Sequence, residues 1–218
     1  MINLPADILA KYRPATAAEV RSWSFGQLSA RRQSSGHWKS QRGTLDDQVI
    51  FGPVHDFKCA CGKYNGRRHE GMICDRCGVK LTTHTHRRKR FGHIELVTTL
   101  PHPCCEGMIS ALPVLPAVYF CSDAGKDLGV HYDRLVELNK AEREAHMLAC
   151  LERLFVHLAP VLVTAHRWDL QESATLARGL GLVCRGMPAG DDCCECGYPL
   201  TGLDTPVCPG CGRKVGGP

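Results

Sequence analysis

Apolar and polar positions change their period along this chain, and each change predicts an element. Thr16-Ala17-Ala18-Glu19-Val20-Arg21 predicts a short helix. Thr16 can accept from the amide three residues on while Glu19 reaches back, a reciprocal capping box. Arg31 to Asp47 is polar, rich in Ser, Gln, Gly and Arg, and reads as loop. Gln48-Val49-Ile50-Phe51 is a short strand candidate stopped by Gly52-Pro53. Residues 57–82 carry close cysteine pairs and glycines and predict short strands and tight turns rather than helices. Ile94-Glu95-Leu96-Val97 alternates as a strand does. Pro101, Pro103, Pro113 and Pro116 then exclude a continuous helix. From Tyr132 to Leu158, Leu135, Leu138, Met147, Leu148, Leu151, Leu154, Phe155 and Leu158 recur at helical spacing. Pro160 perturbs or breaks that helix; a second runs from Trp168 to Leu180, with Gly179 and Gly181 marking its end. Gly186 to Asp192 reads as a linker.

The pattern is that of an α+β chain of small modules. At 218 residues there is room for one ordinary domain or two to three small ones. Hydrophobic residues make up 44% but aromatics only 6%, so little bulky material is available for a large core. Metal staples are the expected substitute. Fourteen cysteines raise the alternative of a secreted disulfide framework. Met1 to Arg13 shows no secretory signal, and eight of the cysteines form two quartets at zinc spacing, so reduced thiols and a cytoplasmic protein are expected. No run of about 18 apolar residues is visible, so no membrane partner is expected.

The first quartet is Cys59-x-Cys61-x12-Cys74-x2-Cys77 and the second Cys193-x2-Cys196-x11-Cys208-x2-Cys211, with Cys194 an alternative to Cys193. Two close pairs a dozen residues apart can fold back on one another and converge on a tetrahedral Zn²⁺. Each pair is followed by glycine (Gly62, Gly78, Gly197, Gly212), which permits the tight turn. Two zinc ions are predicted. Four thiolates leave no open coordination position, so both are structural. His84 and His86 are read as polar surface. Cys104, Cys105, Cys121, Cys150 and Cys184 lack paired spacing. They read as small buried hydrophobes; a third metal site on His102, Cys104, Cys105 and Cys121, or a Cys/His nucleophilic pair, stays open.

Charge is unevenly placed. His55 to His93 holds ten Lys/Arg against three Asp/Glu, a surplus larger than the +5 of the whole chain. Lys58, Lys63, Arg67, Arg68, Lys80, Arg87, Arg88, Lys89 and Arg90 are therefore candidate contacts to a polyanion, neutralising backbone phosphates without reading bases.

The residues around the first quartet carry a resemblance. Arg21-Ser22-Trp23-Ser24-Phe25-Gly26, Ile50-Phe51-Gly52-Pro53-Val54-His55-Asp56, Cys61-Gly62-Lys63-Tyr64, Gly71-Met72-Ile73-Cys74-Asp75-Arg76-Cys77-Gly78-Val79 and Arg87-Arg88-Lys89-Arg90-Phe91-Gly92-His93-Ile94-Glu95-Leu96 follow in order. Together, over residues 15–102, they resemble the N-terminal zinc-binding clamp region of the bacterial RNA polymerase β′ subunit. Ile109-Ser110-Ala111-Leu112-Pro113-Val114-Leu115-Pro116 and Asp127 to Lys140 are similar, more weakly, to the β′ segment that re-enters the clamp and the helix after it. The family's arginine-proline step after that segment is replaced by Ala117-Val118-Tyr119-Phe120. Its Asn-Ala-Asp-Phe-Asp-Gly-Asp catalytic loop is absent from this sequence, so no enzyme activity is expected of the chain alone.

The resemblance implies a β′-like zinc-binding clamp module at 1–102 and a clamp-base-like segment and helical region at 103–185; the second quartet, which lies outside that resemblance, marks an appended zinc ribbon at 186–218. The resemblance also implies a truncated, non-catalytic clamp protein in transcription, with nucleic acid and RNA polymerase core subunits as partners. A zinc-stapled interaction scaffold with no transcription role is the alternative.

Overall fold

The computed structural model describes residues 4–6, 10, 12–32, 41–115, 123–168 and 170–184. The second quartet, Cys193, Cys196, Cys208 and Cys211, lies outside them, as do Cys121 and Cys194.

Thr16 caps the first helix, α1 (Ala17–Trp23), as its sequence predicts. The Glu19 amide donates to Thr16 Oγ1 at 3.3 Å and the Thr16 amide to Glu19 Oε2 at 2.7 Å. Arg13, on the preceding strand β1 (Tyr12–Pro14), forks onto both oxygens of the same carboxylate. The chain then enters β2 (Ser24–Gln27).

Gln48–Phe51, expected as a strand, is a one-turn helix, α2. Asp47 overrides the β-branched pair Val49-Ile50: its carboxylate accepts from Val49 N at 2.8 Å and from Gly43 N at 2.7 Å. Phe51 and Ile50 are thereby turned into the core. Gly26 makes room for them, since a Cβ there would lie 2.8 Å from Ile50 Cγ1.

The central sheet has the order β2-β3-β4. β3 (Phe91–Pro101) extends the expected strand at both ends, running parallel to β2 and antiparallel to β4 (Met108–Val114). The proline-rich sequence concealed β4. Pro113 pairs with His93 and is tolerated because β4 is an edge strand. Along the opposite edge of β3, Leu28 N still donates to His93 O at 2.7 Å, and there β2 ends. Two residues on, the Asn139 side chain takes the place of a strand: Nδ2 donates to Glu95 O at 2.7 Å and Oδ1 accepts from Val97 N at 2.9 Å.

Asn139 belongs to α3 (Asp123–Lys140), which α4 (Glu144–Trp168) follows after three residues. The break falls inside the helix expected from Tyr132 to Leu158. It is a Schellman turn with Glu142 in the left-handed position (φ 52), Arg143 N bonding Leu138 O at 3.2 Å and Glu142 N bonding Asn139 O at 3.2 Å. Pro160, by contrast, does not end α4. It and Val156, whose carbonyl it cannot bond, are exposed, so water can reach that carbonyl.

Glu144–Val163 is long and apolar enough to cross a membrane by length and composition, unlike what the sequence suggested, yet 44% of it is buried inside the fold. Met147, Leu151, Leu154, Phe155, Leu158 and Leu162 make it a core helix. The last helix, α5 (Leu170–Gly179), packs on α4 and turns through Gly181 (φ 68) into β5 (Leu182–Cys184). β5 pairs antiparallel with β1, tying Tyr12 to Cys184 and Pro14 to Leu182.

One hydrophobic cluster runs from Leu4 to Leu182, through Phe51, Phe91, Ile94, Leu112, Tyr132, Phe155 and Leu176. The division at 102/103 falls in the β3–β4 connection, with parts of this cluster on both sides. A separate small cluster of Cys59, Cys74, Val79 and Leu81 lies under the cysteine pairs. The architecture is mixed α and β, with five α-helices among the described residues.

Candidate metal centre and its basic rim

Each cysteine pair of the first quartet sits on a narrow two-stranded turn. Lys58 bridges Asn65 around the first pair and Ile73 bridges Lys80 around the second. The turns close through Gly62 N to Cys59 O (3.1 Å) and Gly78 N to Cys74 O (2.7 Å), with both glycines at positive φ (76° and 70°). That geometry explains the glycine after each pair.

The two turns face each other and bring the four Sγ atoms within 4.8 Å of one another. Cys59–Cys61 and Cys61–Cys74 are each 3.6 Å apart. A tetrahedral zinc with Zn–S bonds of about 2.3 Å separates its sulfurs by about 3.8 Å, so the donor set fits one Zn²⁺. Tyr64 N donates to Cys59 Sγ at 3.2 Å. Against burial, the amides of Cys77 and Arg76 hold the Cys74 thiol down to about 7. Cys61, despite the Lys63 amide, is pushed up to about 11 by burial and its thiol neighbours.

Cys59 and Cys74 are buried, and Arg42 clamps the second turn through a 2.6 Å bond to Cys77 O. Among the described residues no other group of three or more ligating side chains converges in this way. His84 is occupied by Asp56, at 2.7 Å from Nδ1. His102 has both ring nitrogens engaged, Nε2 with Leu180 O at 2.8 Å and Nδ1 with Cys104 N and Cys105 Sγ at 3.2 Å, and burial lowers its pKa.

The nine predicted basic residues divide by environment. Lys58, Arg88 and Lys89 are exposed and make no ion pair among the described residues. Arg68 is exposed and donates to His69 at 2.9 Å. Lys63 pairs with Asp75 and Arg67 with Glu70, which offsets part of their charge. Lys80 and Arg87 are half-buried, with Arg87 Nη1 on Gly52 O at 2.6 Å. Arg90 is only 3% exposed, its guanidinium 4.7 Å from the centre of the Phe25 ring. It anchors β2 to β3 instead of joining the rim. Arg76, inside the second cysteine pair and not among those nine, is also exposed, with no ion pair among the described residues.

Curated relatives match part of this chain. Over 89 residues it is 44% identical to the DNA-directed RNA polymerase subunit beta' of Oenococcus oeni, 45% to that of Lactobacillus delbrueckii subsp. bulgaricus and 47% to that of Streptococcus agalactiae. This stretch is homologous to part of β′. The match covers 40% of this chain but only 7% of each relative. Its length agrees with the stretch 15–102, where the specific motifs lie, and is too short to extend from there to 140. No family model matches the chain.

Proposed function

We propose that the chain is a non-catalytic, β′-clamp-like zinc protein that acts in transcription by binding nucleic acid, RNA polymerase core, or both. The observation that carries this reading is the β′ homology together with a four-sulfur centre of zinc dimensions. Cys59, Cys61, Cys74 and Cys77 hold a structural zinc. Cys193, Cys196, Cys208 and Cys211 hold the second. Lys58, Arg68, Arg76, Arg88 and Lys89, whose charges no carboxylate among the described residues pairs off, meet phosphates. A four-thiolate centre supports scaffolding rather than catalysis.

The test is binding of the zinc-loaded chain to duplex and single-stranded nucleic acid across a salt series, with retention of purified RNA polymerase core measured in parallel. Binding to nucleic acid should fall steeply with salt and show little sequence preference. Alanine at Lys58, Arg88 and Lys89 should flatten the salt slope by about 0.9 per lost duplex contact. Failure of both nucleic acid and polymerase core to bind at low salt would remove the proposal. The competing reading, an interaction scaffold with no transcription role, has in its favour the exposed Met72 and Ile73 between the cysteine pairs (44% and 65% exposed).

A further inference from the structure

Between β3 and β4 the chain makes a tight loop, closed by His102 N donating to Gly107 O at 2.9 Å. His102 is buried at its base, and its ring stands edge-on to Phe155 with centroids 5.1 Å apart. Nε2 lies 2.8 Å from Leu180 O. A carbonyl can only accept, so Nε2 carries the proton and Nδ1 presents a lone pair. That lone pair lies 3.2 Å from Cys105 Sγ and equally 3.2 Å from the donating Cys104 N, so thiol and amide share it. The arrangement has the parts of an activated nucleophile: a thiol, a base within reach, and a third group that fixes the base's tautomer and steadies the imidazolium formed when it takes a proton.

Of Cys104, Cys105 and Cys150, access favours the same residue. Cys104 and Cys150 are buried, whereas Cys105 is half-exposed. Burial also pushes the Cys104 thiol up to about 12, so it is poorly placed to act as a resolving thiolate for its neighbour.

We propose that Cys105 is a thiol-modification site, activated by His102, that takes small disulfides. In the reaction the Cys105 proton moves to His102 Nδ1. The sulfur attacks one sulfur of the disulfide RS–SR, a Cys105 Sγ–S bond forms and the S–S bond breaks. The second RS group leaves with its electron pair and collects the proton from His102. Cys105 is oxidised to a mixed disulfide, and one thiol equivalent of the reagent is released. With Cys104 buried, the adduct persists until an external thiol reverses it. This site stands apart from the zinc centre and does not rest on the transcription reading.

The experiment treats the zinc-loaded full chain with oxidised glutathione and follows each cysteine by peptide mass spectrometry. Cys105 should be the first cysteine modified. Its rate should exceed by about a hundredfold or more that of the same cysteine in the urea-unfolded chain at the same pH, the low end of what a positioned base contributes. An unassisted half-buried thiol would instead react more slowly when folded. H102N should abolish this advantage while the zinc content stays unchanged. Should H102N not fold, the folded-to-unfolded rate ratio of the wild-type chain decides alone. A ratio of one or less, or modification of the zinc cysteines before Cys105, overturns the proposal.

Discussion

Removal of the metal should unfold one part of this protein and leave the rest standing. Residues 57–82 have almost no apolar support of their own: their cluster contains Val79 and Leu81 beside the cysteines, with Val49, Ala60 and Tyr64 packed around it. Full burial of two such side chains stabilises by about 3–6 kcal/mol, whereas a structural zinc contributes about 10–16 kcal/mol in small zinc peptides. A zinc held there would therefore be the largest single stabilising contribution to this module. The main cluster, from Leu4 to Leu182, contains none of the four sulfurs. Chelation followed by hydrogen exchange should strip protection from the amides that close the turns, those of Cys59, Gly62, Gly71, Cys74, Gly78 and Leu81. The β3–β4 amides should keep theirs. C74S should give the same pattern without chelator. Unchanged protection at 57–82 after the metal is shown to have gone would refute the reasoning, and so would loss of β3–β4 protection at the same rate.

Two further outcomes follow from single side chains. N139A removes both bonds to the edge of β3 and should cost about 1–3 kcal/mol at about 0.5–1.5 each; urea unfolding showing no loss would mean that water replaces the amide without penalty. The Arg13 guanidinium, joined by the Thr16 backbone and hydroxyl and opposed by burial, holds Glu19 down to about 2 from an ordinary 4.5. A depressed folded pKa gives stability that is present above the unfolded value and lost as pH falls through the folded one. Acid unfolding of the wild type should therefore steepen between about pH 5 and 2, and E19Q, measured over the same range, should flatten that limb.

What the sequence reveals depends on whether the signal is local. The capping box at Thr16 and Glu19 and the glycines after the first two cysteine pairs, Gly62 and Gly78, are local chemistry, and the structure carries them as expected. Asp47 was an equally local cap, but the β-branched pair after it suggested a strand. The turn between α3 and α4 was hidden because glutamate occupies the left-handed position that glycine usually takes. Pro160 does not break the helix, the stronger of the two outcomes its sequence allowed, and it lies on the exposed side of α4. Most instructive is the basic run at 87–90. Its charge is plain in the sequence, but only tertiary packing shows that Lys89 faces solvent while Arg90 is buried against Phe25.

The homology stops short of the core that carries the zinc module. Any 89-residue match is shorter than the span from Leu4 to Leu182 over which the main cluster is assembled, so residues outside the match supply part of it. They also supply ties to the rest of the fold. Arg32 Nε lies 2.8 Å from Asp133 Oδ2, Arg31 Nη1 lies 2.8 Å from Glu137 Oε1, and Asn139 bonds β3 further along the same helix. Arg32–Asp133 is the more sheltered of the two ion pairs and the better able to hold against solvent. α3 thus ties Arg31, Arg32 and the free edge of β3 into one core, so substitutions at Asp133 or Asn139 should loosen that segment without touching a sulfur.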